Sequence, residues 1–140
     1  MTLTPSSPIF QDIQQPAMGV SVLVVEDEPV SRRALVALLT DSGYRPLPAA
    51  SAEEALILLC EGMRPAMALI DLDLPGMNGL ELIQWLHRFA PQVTSVLVTA
   101  TSRERINLLR HERQDLLYMR KPIDFARLLK VIEEHRLGRE

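Results

Sequence analysis

Apolar positions in this chain fall into short continuous runs that alternate with helix-spaced stripes. Val20 to Val25 is a nearly unbroken, β-branched run, which predicts a strand covered on both faces, the kind found in parallel sheets. Pro29 suits a first helical turn. Val30, Ala34 and Leu38 then recur at four-residue steps, Leu35 and Leu39 widen the stripe, and Gly43 supplies the stop. Tyr44 to Ala49 contains proline and predicts a weak strand at a sheet edge. Ser51 and Glu54 read as a capping box opening a helix through Cys60, which Gly62 ends. Ala66 to Ile70 predicts a third strand, and Pro75, Gly76, Asn78 and Gly79 a loop. A helix follows on Leu82, Ile83, Leu86 and Phe89. Val93 to Val98 predicts a fourth strand, and Ser102 caps a polar helix through His111. Leu116 to Met119 predicts a fifth strand, and from Ile123 a last helix carries Phe125, Leu128, Leu129 and Ile132 on one face.

Five rounds of strand then helix imply an α/β fold. Right-handed crossovers place the helices on both faces of a parallel sheet, and such sheets bind ligands beyond the carboxyl ends of their strands. Residues 1–18 are rich in Thr, Ser, Gln and Pro and read as a tail or linker, leaving 19–140 as one domain.

Composition narrows the classes of function. A chain of 140 residues, 47% hydrophobic and 24% charged, fits one core. A net charge of −3 argues against direct nucleic-acid binding, which rests on clustered cations. One cysteine, Cys60, excludes an intramolecular disulfide and a thiolate zinc site; we expect a small core residue there and a cytoplasmic setting. No apolar run has the length of a membrane span.

Five polar groups collect at the predicted strand ends: Glu26 with Asp27, then Asp71, Thr99 and Lys121. Singly, each has an ordinary explanation. The acidic triplet Glu26 to Glu28 suits the positive end of the following helix, Asp71 and Asp73 are good loop formers, and Lys121 could be a solvated charge. Together they are hard to explain so, because three gathered carboxylates repel one another unless a cation joins them. Their hard oxygens select Mg²⁺, or Mn²⁺, over Zn²⁺. Such a site leaves Asp71 able to attack phosphorus, Lys121 to neutralise phosphoryl oxygens, and Thr99 to donate a hydrogen bond.

These residues lie in four motifs: VLVVEDEP at 22–29, ALIDLDLPGMNGLEL at 68–82, VLVTA at 96–100 and YMRKP at 118–122. As a set they resemble the receiver domains of two-component response regulators, including the single-domain chemotaxis type. The resemblance implies a flavodoxin-like sheet ordered 2-1-3-4-5 and Asp71 as the phosphorylated residue. It implies Asp27, Asp71 and the Asp73 main-chain carbonyl as direct metal ligands, with Glu26 acting through water. It also implies a cis Lys121–Pro122 bond and a switch in which Thr99 moves toward the phosphoryl group and the Tyr118 ring turns inward. The surface of helix 4, strand 5 and helix 5 would then change for a downstream protein effector, or for a dimer. The phosphodonor would be a sensor histidine kinase, a phosphotransfer protein or a small molecule such as acetyl phosphate. The only enzymatic chemistry implied is self-phosphorylation and autodephosphorylation. With the sequence ending at Glu140, the expected effector is another molecule or a segment outside it.

Two departures stand out. Gln114 and Asp115 replace the Gly-Ala pair common before strand five, and helix 4 has few apolar positions. The arginines at 103, 105, 110, 113 and 120 interleave with Glu104, Glu112 and Asp115, which reads as a mixed surface. The chief rival is a phosphatase of the haloacid dehalogenase type using Asp71 and Asp73. That family needs an acidic pair downstream of its lysine, where this chain offers only Glu133 and Glu134 within a helix. A flavodoxin-like cofactor site is opposed by Glu26-Asp27-Glu28 where a phosphate loop would need Ser, Thr or Gly.

Overall fold

The computed structural model describes residues 19–113 and 116–138; the predicted tail and the Gln114–Asp115 departure lie outside them. Strands β1 (Ser21–Val25), β2 (Arg45–Ala49), β3 (Met67–Asp71), β4 (Thr94–Thr99) and β5 (Leu117–Arg120) alternate with five helices. These are α1 (Pro29–Asp41), α2 (Ala52–Cys60), α3 (Gly79–Phe89), α4 (Arg103–Glu112) and α5 (Phe125–Gly138). All pairings are parallel and the strand order is β2-β1-β3-β4-β5, as expected.

Alternation along each strand divides the core into two layers. Leu23, Val25, Ala68, Ile70 and Leu97 face a cluster completed by Ala55 and Leu59 of α2 and Leu82, Ile83 and Leu86 of α3. Val22, Val24, Leu69, Val96 and Val98 face the other way, against Leu35 and Leu39 of α1 and Leu128 and Ile132 of α5. Full burial of such a side chain contributes about 1.5–3 kcal/mol, so the central strands hold the frame from which the strand-end loops project.

Strand β2 tolerates two prolines for a geometric reason. The Arg45 amide donates to Val20 and the Ala49 carbonyl accepts from Glu26, so odd positions bond to β1, and Pro46 and Pro48 stand where no N–H is required. Gly43, at φ 91°, occupies the left-handed turn after α1.

Several local expectations need correction. Val30, Ala34, Phe89 and Phe125 are exposed, whereas Leu35 and Leu39, Leu82, Ile83 and Leu86, and Leu128 and Ile132 are buried as expected. Helix α5 starts at Phe125, not Ile123, which packs against the second core cluster from the preceding loop. Cys60 is exposed, because α2 buries Ala52, Ala55 and Leu59 and the next residue is turned about 100° away. Ser51 does cap α2, but Glu54 reaches past it to the Ala50 amide, and the complete capping box is Asn78 with Glu81 at the start of α3.

Among the described residues, one buried side-chain polar atom has no partner: Ser95 Oγ, at the start of β4. Removing a buried hydroxyl that makes no hydrogen bond relieves its desolvation cost. Ser95→Ala is therefore expected to raise stability by about 1 kcal/mol in chemical denaturation, and a loss of stability would show that the hydroxyl is satisfied in solution.

Candidate functional site

The acidic triplet after β1 divides its work. Glu28 is the N-cap of α1: its carboxylate accepts from the Ser31 amide at 2.7 Å, and that bond holds its pKa below the usual 4.5. Glu26 instead turns inward and is almost fully buried, with Oε2 accepting from the Glu28 amide at 3.1 Å. Asp27 stays exposed at the rim. Asp71 ends β3 and is also buried, its Oδ1 accepting from the Asp73 amide at 3.2 Å.

Lys121 joins the two buried acids. Its Nζ donates to Glu26 Oε1 at 3.0 Å and to Asp71 Oδ2 at 3.3 Å. Partial burial by itself disfavours the ammonium, but the bond to Glu26 and the charges of Asp71 and Glu26 outweigh it, and the Lys121 pKa lies above the ordinary 10.5. The Lys121–Pro122 bond is cis, as the resemblance implies, and the Lys121 amide donates to the Thr99 carbonyl at 2.8 Å. Thr99 is fully buried beside this group, its Oγ1 accepting from the Thr101 amide at 2.9 Å.

One carboxylate oxygen each from Glu26, Asp27 and Asp71 lies within 4.8 Å of the others. Oxygen donors alone, with one ammonium among three carboxylates, fit a hard divalent cation. Asp73 points elsewhere. Its carboxylate stands 3.6 Å from Arg105 Nη1, so at the ring of the site it is tied toward α4. Tyr118 is half-buried on β5, with the Arg110 guanidinium over its ring at 5.4 Å.

Three contributors were missed in the sequence. Arg32 donates to the Glu26 carbonyl at 2.8 Å and braces the strand end from α1. Gly79, the first residue of α3, lies so close to the Asp71 carbonyl that a Cβ there would strike it. Glu53 of α2 accepts from the Met77 amide at 2.9 Å, fastening the loop that follows Asp71. Glu53 and Met77 are 24 positions apart, and no local pattern joins them.

The Met77 bond is the main reason the Glu53 pKa falls below its ordinary 4.5. A depressed folded-state pKa means the tether is fully made above pH 4.5 and is lost as pH falls through the lower folded value. The Met77 amide resonance is accordingly expected to titrate with a midpoint below 4.5 in two-dimensional NMR. A midpoint at or above that value would dissolve the proposed link.

The family model described as "Response regulator receiver domain" matches residues 22–133. The chain is a response regulator receiver domain. It is 33% identical over 116 residues to the positive alginate biosynthesis regulatory protein of Pseudomonas aeruginosa, a match covering 79% of this chain and 46% of that protein. Among solved structures, a CheY-like receiver from Methanospirillum hungatei superposes with TM-score 0.77 at 27% identity, covering 85% of this chain and 94% of that one. The response regulator TrrA of Thermotoga maritima, solved in complex with Mg²⁺ and BeF, gives TM-score 0.71 at 29% identity, covering 82% and 97%. The receiver spans between about a third and a half of the first curated relatives it matches. Its acidic cluster fits the phosphoacceptor site of two-component signalling. The dehalogenase-type arrangement finds no support: Glu133 accepts from the Tyr44 hydroxyl at 2.8 Å, and the acids gathered around Asp71 are Glu26 and Asp27. No described helix is long and apolar enough to cross a membrane.

Proposed function

We propose that Asp71 is the phosphoacceptor, that Glu26, Asp27, Asp71 and the Asp73 main-chain carbonyl hold Mg²⁺ or Mn²⁺, and that Lys121 and Thr99 receive the phosphoryl oxygens. The observation carrying this reading is Lys121 Nζ bridging buried Glu26 and Asp71 with Asp27 at the rim. Bound metal would supply positive charge to the phosphoryl oxygens and relieve the repulsion of the carboxylates.

The protein's own groups account for the rest. The Asp73 amide and Lys121 both donate to the Asp71 carboxylate and hold its orientation. An Asp71 oxygen attacks phosphorus as the bond from phosphorus to the donor breaks; with a phosphohistidine donor, the ring nitrogen leaves and takes up a proton. Lys121 then exchanges its contact with Asp71 for one with a phosphoryl oxygen. Thr99 gives up the Thr101 amide and donates its hydroxyl to another. Displacing Thr99 opens space toward Tyr118 and transmits the change to the α4-β5-α5 face. Water hydrolyses the acyl phosphate in autodephosphorylation. The donor is a sensor histidine kinase or phosphotransfer protein in the cytoplasm, and the receiver acts through protein contacts rather than by turnover of a substrate.

Incubation with acetyl phosphate and Mg²⁺ is expected to add one phosphoryl group by intact-mass measurement. EDTA should prevent it, and added Mn²⁺ should restore it. Labelling that is unchanged by EDTA would remove the metal from the account.

A further inference from the structure

The arginines that alternate with acids in the sequence are sorted by the fold. Arg103 and Arg110 are two helical turns apart on one side of α4, and with Arg120 of β5 and Arg127 of α5 they line a cleft that has the Tyr118 ring in its wall. Glu104 lies on another side of α4, in a depression with Leu108 and His111. Among the described residues, the only carboxylate lining the arginine cleft is Asp124, whose Oδ1 is used to accept from the Arg127 amide.

None of the four guanidiniums has a carboxylate within ion-pair distance among the described residues, in contrast to Arg105, which faces Asp73. Two of them oppose the local electrostatics of folding, since Arg103 and Arg127 stand in the first turns of α4 and α5, where the helix end is already positive. Four like charges in one cleft of a protein with net charge −3 are not explained by internal pairing or by overall charge balance.

We propose that this cleft is the docking site for an acidic segment of a partner protein, recognised by the four guanidiniums through carboxylates and by the Tyr118 ring through an interspersed apolar side chain. This deepens the output role given above to the α4-β5-α5 face and rests on it. A second copy is a poor occupant. In a two-fold dimer the cleft's arginines would need acids from the same face of the copy, and the one described carboxylate in that cleft, Asp124, is already engaged by the Arg127 amide. Nucleic acid is also a poor fit, because a compact patch of four cations on an acidic protein lacks the extended track of charge a phosphate backbone requires.

The test uses the full chain and a fluorescein-labelled dodecapeptide of repeating Glu-Glu-Leu, with Lys-Lys-Leu as the control, read by fluorescence anisotropy. Wild type is expected to bind the acidic peptide and not the basic one. Arg110→Glu with Arg127→Glu, both at exposed positions, should weaken binding at least about tenfold, whereas Glu104→Lys on the other side of α4 should not weaken it. Failure of wild type to bind, or equal binding by the double variant, overturns the proposal. So does displacement of the peptide by pyrophosphate at lower concentrations than the peptide itself requires, which would assign the cleft to a phosphate ligand. Self-association of wild type that the double variant abolishes would assign it to a second copy and overturn it equally. Acidic-peptide binding unaltered by beryllium fluoride with Mg²⁺ leaves the cleft's chemistry standing and removes the output reading.

Discussion

Asp71→Asn is expected to lower the rate of phosphoryl uptake from acetyl phosphate by about three orders of magnitude or more. The amide has no charge and a poor nucleophile in place of the carboxylate. The substitution keeps the shape of a side chain that is 7% exposed, so the loss is chemical rather than a consequence of repacking. It also removes the negative charge from one of the two partners of Lys121, leaving Glu26 as the ammonium's ion-pair anchor. An intact-mass time course with Mg²⁺ measures the rate directly. Uptake by the variant at the wild-type rate would move the acceptor elsewhere.

Gly79→Ala is expected to destabilise the fold by about 2–3 kcal/mol, against what helix propensity alone says. Gly79 begins α3 without a positive φ, so backbone freedom is not the reason for glycine there. Alanine in a helix is favoured over glycine by about 1 kcal/mol. The opposing effect is contact. A Cβ at this position would strike the Asp71 carbonyl and approach Leu72 Cα at 3.0 Å, and both are backbone atoms that a rotamer change cannot move aside. The Gly79 amide also donates to the Leu72 carbonyl at 3.1 Å, so α3 and the end of β3 move together if they separate. Clash is expected to outweigh propensity, lowering Tm by roughly 5–10 °C for a domain of this size and slowing phosphoryl uptake as Asp71 shifts. An alanine variant as stable as wild type, with unchanged uptake, would mean that the approach of α3 does not set the position of Asp71.

Much of this was legible in the sequence because the relevant physics is local. Continuous apolar runs gave the inner strands, and parallel order followed from the helices between them. Strand ends then placed Glu26, Asp27, Asp71, Thr99 and Lys121 on one edge before any contact was known. Motif resemblance, not periodicity, supplied the strand order and the cis bond at Lys121. What failed was finer than a helical turn. The four-residue steps through Val30 and Ala34 described a stripe, yet the face turned to the sheet is set by where α1 crosses it, and that is Leu35 and Leu39. Cys60 was misplaced by a single residue's rotation. The capping box at Asn78 and Glu81 has the same readable spacing as Ser51 and Glu54, and spacing alone does not say which of the two closes. Arg32, Glu53 and Gly79 support the site through contacts between separate elements, and the sorting of arginines from acids around α4 depends on where β5 and α5 pack.

Loss of uptake in Asp71→Asn can arise from a missing nucleophile or from a weakened metal site, so locating the phosphoryl group itself is the most direct measurement. Phosphorylated wild type, reduced with borohydride and digested, should carry the resulting homoserine at position 71 and at no other carboxylate. Modification at Asp27 or Asp73, or at a histidine with Asp71 intact, would contradict the account.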